Sequence, residues 1–357
     1  MTVLTIQQDT LRPARSADTP RIRTSDMPKL TTTVPREYVH RSSHAEVFLT
    51  GCEKIDDTHY TLSGQWPRAH TFFTSTDGRE HDPLQAAETI RQVGLFLAHA
   101  EFGVPLGHQF LMWDMHVTTR PEHMTIGSGP TDLTLGATVV DVVRRGNRLA
   151  EFGLEIVVES GQDRCAVGGG RFTCLSKATY QRIRGEARGA LWRGRRPWSV
   201  EVLPSVVGKK LPFDVVLSPT DRLDRWLLNP DPRHPILFDH SGDHFPGMVL
   251  LEAARQAACA LLHPLPMTVS SACLDFQRYV EFDVPCWIEA TLPPAHVTNA
   301  PSVLITGRQG GHVTFTALLS GTSPATCGTG SAVPRTPSAV QTSFPLSFLD
   351  VPAATTP

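Results

Sequence analysis

Long hydrophobic runs are missing from this 357-residue chain. Nothing approaches the roughly 20 uninterrupted apolar residues that a bilayer-spanning helix requires. The opening stretch MTVLTIQQDTLRPARSADTP lacks an apolar signal core, so the expected location is the cytoplasm. A surplus of either charge is missing too. The net charge of −2 gives no general attraction to nucleic acid or to an anionic membrane, and neither is expected as a partner. The seven cysteines, Cys52, Cys165, Cys174, Cys259, Cys273, Cys286 and Cys327, include no C-x-x-C pair. Their odd number and scatter argue against a disulfide framework and a zinc site, leaving reduced thiols, several of which fill the core.

What the chain does have is a helix that should not carry charge. In HFPGMVLLEAARQAACALL (244–262) apolar residues occupy every side of the helix from Met248 onward, the pattern of a buried helix, yet Glu252, Arg255 and Gln256 sit within it. The same E-x-x-R-Q spacing recurs in PLQAAETIRQVGLFLAHA (83–100) as Glu88, Arg91 and Gln92, offset by 164 residues. The strand-like runs that follow, HQFLMWDMHV and SACLDFQRYV, keep nearly the same offset. A duplicated unit of about 150 residues, a common domain size, accounts for both.

In chain order, residues 1–34 read as a flexible arm rich in Thr, Arg, Pro and Asp. The first repeat spans 35–180: strand-like runs between Tyr38 and Trp66, a loop, the first helix with Asp82 as N-cap and Pro83 behind it, then strands near 108–119, 131–144, 148–160 and 164–178. Residues 181–198 hold six arginines and read as a linker, solvated or serving as a docking patch for an acidic protein. The second repeat, 199–321, opens with strand-like SVEVLPSVV and FDVVLSP. After the central helix it continues with strands near 268–280, 285–293 and 302–320. Residues 322–357 have the composition of a disordered tail. One long helix against a run of antiparallel strands, twice over, is an α+β layout of tandem hotdog form.

The runs QWPRAHTFF, HDPLQAAETIRQVGLFLAHAEFGVPLGHQFLMWD and FDHSGDHFPGMVLLEAARQAA closely resemble the A-factor biosynthesis hotdog family of actinomycetes, over about residues 35–320. The resemblance implies an acyltransferase that moves a β-ketoacyl group from acyl carrier protein to the hydroxyl of dihydroxyacetone phosphate. The ester then cyclises to a phosphorylated butenolide, a precursor of γ-butyrolactone-type or furan signalling molecules that regulate antibiotic production. It implies no cofactor. A double hotdog would be a pseudo-dimer within one chain, open to further homo-oligomerisation. His244-Phe245-Pro246-Gly247 and Leu251-Glu252-Ala253 are also similar to hotdog acyl-carrier-protein dehydratases. Dehydratase, thioesterase and non-catalytic acyl-binding module therefore stand as alternatives.

Acyl transfer to an alcohol needs a base, oxyanion donors and, here, a positive site for phosphate. Glu252 and Glu88 are the candidate bases, if burial raises their pKa; alternatively each forms an i,i+3 ion pair with Arg255 or Arg91. Those arginines offer forks for a phosphate or merely hold the glutamates. Gln92 and Gln256 orient a substrate carbonyl or satisfy backbone groups on a neighbouring strand. His244 is a candidate proton shuttle or a turn residue, and the backbone N–H groups of Gly247 and Met248 open a helix N-terminus toward an anion. His81, and more weakly His70, are loop candidates for substrate contact. The run His234, His240, His244 lacks the accompanying ligands a metal would need, and no metal is expected. The expected reaction cleft combines His244 with Glu252.

Overall fold

The two repeats share one sheet. In the computed structural model, which describes residues 31–185, 202–239, 242–294 and 300–322, the strands in chain order are β1 (Leu49–Lys54), β2 (His59–Trp66), β3 (Gln109–Thr119), β4 (Thr131–Arg145), β5 (Arg148–Ser160) and β6 (Asp163–Leu175). The second repeat adds β7 (Leu217–Pro219), β8 (Arg225–Leu228), β9 (Thr268–Phe276), β10 (Cys286–Thr291), β11 (Ser302–Gln309) and β12 (His312–Thr322). Their order across the 12-stranded sheet is β1-β2-β4-β5-β6-β3-β9-β12-β11-β10-β8-β7, which reads the same from either edge once the repeats are exchanged. The seam is the antiparallel pair β3–β9, running from Asp114 opposite Asp275 to Thr118 opposite Ser271. Each repeat is a hotdog, and the covalent pair is a pseudo-dimer.

Helix α1 (Pro83–Ala100) starts where the sequence says it should: the Asp82 carboxylate accepts from the Leu84 N–H at 2.9 Å and Pro83 follows at a position needing no N–H. Its buried positions run nearly right round the helix because β3, β5 and β6 wrap it. Gly94 lets Phe172 of β6 close on it; a Cβ there would lie 2.9 Å from that ring. Helix α3 (Gly247–Leu262) is the counterpart in the second repeat, but its N-cap is Pro246 and no side chain caps it.

Four expectations change. The run 302–320 is a hairpin, β11 and β12, turning at Gly310 and Gly311, both with positive φ. SVEVLPSVV supplies no strand among its described residues, because Pro204 opens a short 3-10 turn over Pro204–Val207. Strand β8 lies within the stretch 220–243, which reads from sequence as a loop between FDVVLSP and the central helix. The segment expected as a linker from 181 begins inside a helix, α2 (Lys177–Arg184), whose Arg184 is buried rather than solvated. Residues 186–201, with the remaining linker arginines, lie outside the described residues, as do most of the expected arm and nearly all of the expected tail. Among the described residues, no helix is long and apolar enough to cross a membrane.

Candidate active site

Each hotdog helix carries a buried carboxylate held by its own neighbours. Glu88 is fully buried. It accepts from Arg91 through Nε at 2.9 Å and Nη2 at 2.8 Å, and from Gln92 Nε2 at 2.8 Å. Glu252, equally buried, accepts from Arg255 through Nε at 3.0 Å and from Gln256 Nε2 at 2.6 Å. The glutamines do more than contact the acid. Gln92 accepts from the Phe48 N–H and donates to the Glu46 carbonyl, and Gln256 does the same with Val216 and Asp214. Both therefore satisfy the strand entering β1 or β7, which fills their amides with protein partners.

Each cluster also receives a cation from its own repeat that the helix spacing does not reveal. Arg41 meets Glu88 through Nε at 3.0 Å and Nη2 at 2.7 Å. Its counterpart Lys209 stands 3.4 Å from Glu252, over the Phe72 ring at 3.7 Å. These cations tie the repeats together: Arg41 donates to the Ile236 carbonyl at 2.9 Å, and Lys209 approaches that of Phe72 at 3.5 Å. The loops supplying those carbonyls are matched in turn. His70 accepts from the Phe72 and Phe73 N–H groups, and His234 from those of Ile236 and Leu237, through Nδ1 in each case. A constant offset of 168 residues relates Arg41 to Lys209 and Phe48 to Val216; it could have been read from V-x-R at 39–41 and V-x-K at 207–209.

The expectation that burial turns these glutamates into bases is overturned. For Glu88, loss of solvation is the largest influence and pushes the pKa up. The charges of Arg41 and Arg91, with the hydrogen bonds from Arg91 and Gln92, outweigh it and bring the carboxyl down to about 2. Glu252 moves the same way: desolvation opposes, while Arg255, Lys209 and Gln256 prevail. Both are anions committed to their partners. His81 is also consumed, since its buried ring meets Gln85 at 3.2 Å and Thr131 at 2.8 Å, leaving neither nitrogen for a ligand. His70 and His234 are turn histidines by the contacts above. His240 lies outside the described residues, and among those described no group of three or more His, Cys, Asp or Glu side chains could hold a metal.

His244 differs. Its Nδ1 lies 2.8 Å from Asp243 Oδ1, and among the described residues nothing meets Nε2. Its side chain keeps 29% exposure, against none for either glutamate. Asp243 is held well below the usual carboxylate range, because hydrogen bonds from His244, Tyr180 and Arg184 and the Arg184 charge overcome the desolvation that raises it. An ionised Asp243 can only accept, so Nδ1 donates to it and Nε2 is the ring nitrogen left for another partner. Three residues on, the uncapped start of α3 offers the Gly247 and Met248 N–H groups, with Gly247 exposed.

The expected grouping of His244 with Glu252 does not follow from this geometry. Arg255 and Lys209 feel the charge of Asp82, so the Glu252 cluster faces the start of α1. The loop leading to His244 instead meets the Glu88 cluster, where Ile236 binds Arg41 and Asp239 accepts from the Ser42 N–H at 2.7 Å. The repeat relates Asp82 to Pro246, both N-caps, and so relates the start of α1 over Lys209 and Arg255 to the start of α3 over Arg41 and Arg91.

In comparisons with known proteins, the A-factor biosynthesis hotdog domain matches residues 22–176 and again 194–321. The chain belongs to the A-factor biosynthesis hotdog family. A relative from Streptomyces virginiae, a 2-oxo-3-(phosphooxy)propyl 3-oxoalkanoate synthase, is 48% identical over 290 residues, covering 81% of this chain and 98% of that protein. A synthase of the same name from Streptomyces coelicolor is 35% identical over 288 residues, 81% of this chain and 91% of its own. Solved structures overlay more loosely. The 12:0-ACP thioesterase of Umbellularia californica gives a TM-score of 0.46 at 12% identity, covering 76% of this chain and all of that one. An oleoyl thioesterase from Lactobacillus plantarum gives 0.47 at 10%, covering 74% and 96%. The first family match includes the Glu88 cluster and the second the Glu252 cluster and the His244 turn, whereas α2 falls in the gap between them.

Proposed function

We propose that this A-factor family chain joins a 3-oxoacyl group, delivered as a thioester, to the hydroxyl of dihydroxyacetone phosphate, giving a 2-oxo-3-(phosphooxy)propyl 3-oxoalkanoate. The observation that carries the assignment is the 48% identity to a synthase of that name across nearly its whole length. The geometry supports His244 as the base. Nε2 takes the proton of the acceptor hydroxyl as its oxygen attacks the thioester carbonyl. The tetrahedral oxyanion rests on the Gly247 and Met248 N–H groups at the start of α3, and collapse expels the thiolate, which takes the proton back from Nε2. Arg91, whose side chain keeps 13% exposure while Glu88 fixes its Nε and Nη2 edge, holds the phosphate with its remaining Nη1. Arg255 occupies the same place in the second cluster, beside Asp82. Glu88 and Glu252 aim the arginines, while Gln92 and Gln256 tie the clusters to the strands. An acyl carrier protein is the expected donor of the acyl chain.

The test is mass spectrometry of products from purified protein given a 3-oxoacyl thioester and dihydroxyacetone phosphate. We expect the phosphorylated ester or its cyclised butenolide. Release of free acid or of an enoyl product without the ketol phosphate would instead establish a thioesterase or dehydratase. Loss of ester formation in His244→Gln, with a raised KM for the ketol phosphate in Arg91→Lys, is expected; unchanged kinetics in both would remove these residues from the mechanism.

A further inference from the structure

The mechanism above leaves one cluster of buried charge unused, and it surrounds Asp243. Helix α2, the last element of the first repeat, crosses to the second. Its Tyr180 hydroxyl donates to Asp243 Oδ1 at 2.6 Å, the oxygen that also receives the His244 ring. Its Arg184, 3% exposed at the side chain, donates through Nε to Asp243 Oδ2 at 3.2 Å and through Nη2 to the Asp243 carbonyl at 3.3 Å. The same guanidinium is anchored by Glu281 through Nη1 at 2.6 Å and Nη2 at 2.7 Å, and it lies over the Tyr279 ring at 4.2 Å. Tyr279 in turn packs edge-on against the His244 ring at 4.7 Å, and His244 and Glu281 form an isolated bridge between their backbones. The groups facing the imidazole are thus Asp243 on its own turn, Tyr180 and Arg184 from α2, and Tyr279 and Glu281 from the segment after β9. A surface linker has no need of an arginine this buried and this completely bound.

We propose that α2 is a positioning element for His244: Tyr180 and Arg184 fix both oxygens of Asp243, so that Asp243 holds the imidazole with its proton on Nδ1 and its lone pair on Nε2. This rests on reading His244 as the base. The physical reason is that a carboxylate free to rotate presents either oxygen to the ring, or none. One pinned at Oδ1 by a hydroxyl and at Oδ2 by a guanidinium offers a single acceptor in a single direction. Tyr180 and Arg184 act through Asp243, and both lie outside the segments matched to the family. The device makes the end of the first repeat part of the second repeat's chemistry.

The test follows the ring nitrogens of His244 by 15N NMR across a pH series, in the full-length protein, beside steady-state kinetics. Wild type is expected to show Nδ1 protonated and Nε2 bare above the titration midpoint. Tyr180→Phe removes one donor with little change of shape, and Arg184→Lys keeps the charge but loses the fork. In both, the His244 midpoint and the acid limb of the rate profile should rise together, since Asp243 is left less neutralised. Turnover should fall about tenfold at unchanged KM, the scale of one lost hydrogen bond to a charged group. Asp243→Asn should invert the tautomer and cost on the order of a hundredfold or more. An unchanged tautomer and midpoint in Tyr180→Phe and Arg184→Lys would overturn the proposal. Should His244→Gln keep full activity, the base assignment fails by itself, and the NMR readout still decides whether α2 sets the imidazole.

Discussion

The two helix clusters began as one motif and now differ in what they hold. In the first, Glu88 faces two guanidiniums and Arg41 contacts it through two nitrogens. In the second, Lys209 takes the place of Arg41, stands farther off, and has its pKa lowered because burial outweighs the pull of Glu252. The helix starts differ in the opposite sense. The start of α1 over the second cluster is closed by the Asp82 carboxylate, whereas α3, related to the first cluster, begins at Pro246 without a side-chain cap. An anion arriving from outside therefore finds a vacant helix terminus at one cleft and a built-in carboxylate at the other. Duplication gave two helix starts, and capping sets them apart.

The sharpest way to break this comparison is to exchange the residues that should carry chemistry at each helix start. His244→Gln is expected to reduce ester formation by about 10²- to 10⁴-fold, the usual worth of a general base. Glu80→Gln, at the position related to His244 by the 164-residue offset, should leave turnover within about twofold on the same grounds. Equal losses would mean that both clefts react.

Removing the buried acids should come next in size. Glu88→Gln leaves the buried Arg41 and the partly buried Arg91 guanidiniums against each other and should cost about 3–5 kcal/mol in denaturant unfolding, as when one partner of a buried pair is lost. Glu252→Gln should cost less, because Lys209 can shed its proton where Arg41 cannot. Equal costs would show that the lysine is no softer than the arginine.

Acid unfolding sharpens the same point. The carboxyl of Glu88 stands at about 2 in the folded chain against an ordinary 4.5, so its contribution is complete above that ordinary value and is lost as pH falls toward 2. Glu88→Gln should therefore flatten the acid limb of stability against pH over that window, read by circular dichroism. A limb as steep as in wild type would place the acid sensitivity elsewhere. The smallest effect belongs to Asp82→Ala, which removes a cap worth about 1 kcal/mol. It should also let inorganic phosphate stabilise the protein more than it does wild type, a shift measurable in Tm.

Much of this could be read from the chain alone, and particular residues show where reading stopped. The E-x-x-R-Q repeat exposed the duplication because the helices must stay buried, which fixes their apolar pattern and makes any charge conspicuous. Gln92 and Gln256 stayed ambiguous, since a buried amide serves a substrate or a strand equally well until the strand's N–H and carbonyl are seen beside it. The sign of the glutamate pKa could not be read because it depends on Arg41 and Lys209, which lie more than 40 residues away from the glutamates they serve. Arg184 was read with its arginine-rich neighbours, when what sets it apart is Glu281 waiting nearly a hundred residues later. Strand β8 is four residues long and too short for alternation to show.

At the seam, Asp114 and Asp275 sit directly opposite each other. Burial, joined by the Asp114 charge, lifts the Asp275 carboxyl above its ordinary value, with Arg171 pulling the other way. Like charges facing across strands oppose pairing, so protonating Asp275 relieves the junction, whereas protonating Glu88 loosens its cluster's hold on Arg41 and Arg91. The join between the halves is thereby braced by protons while the interior of the first half is loosened by them. Acidification should leave the zipper of β3 and β9 closed after the helix it shelters has begun to slip.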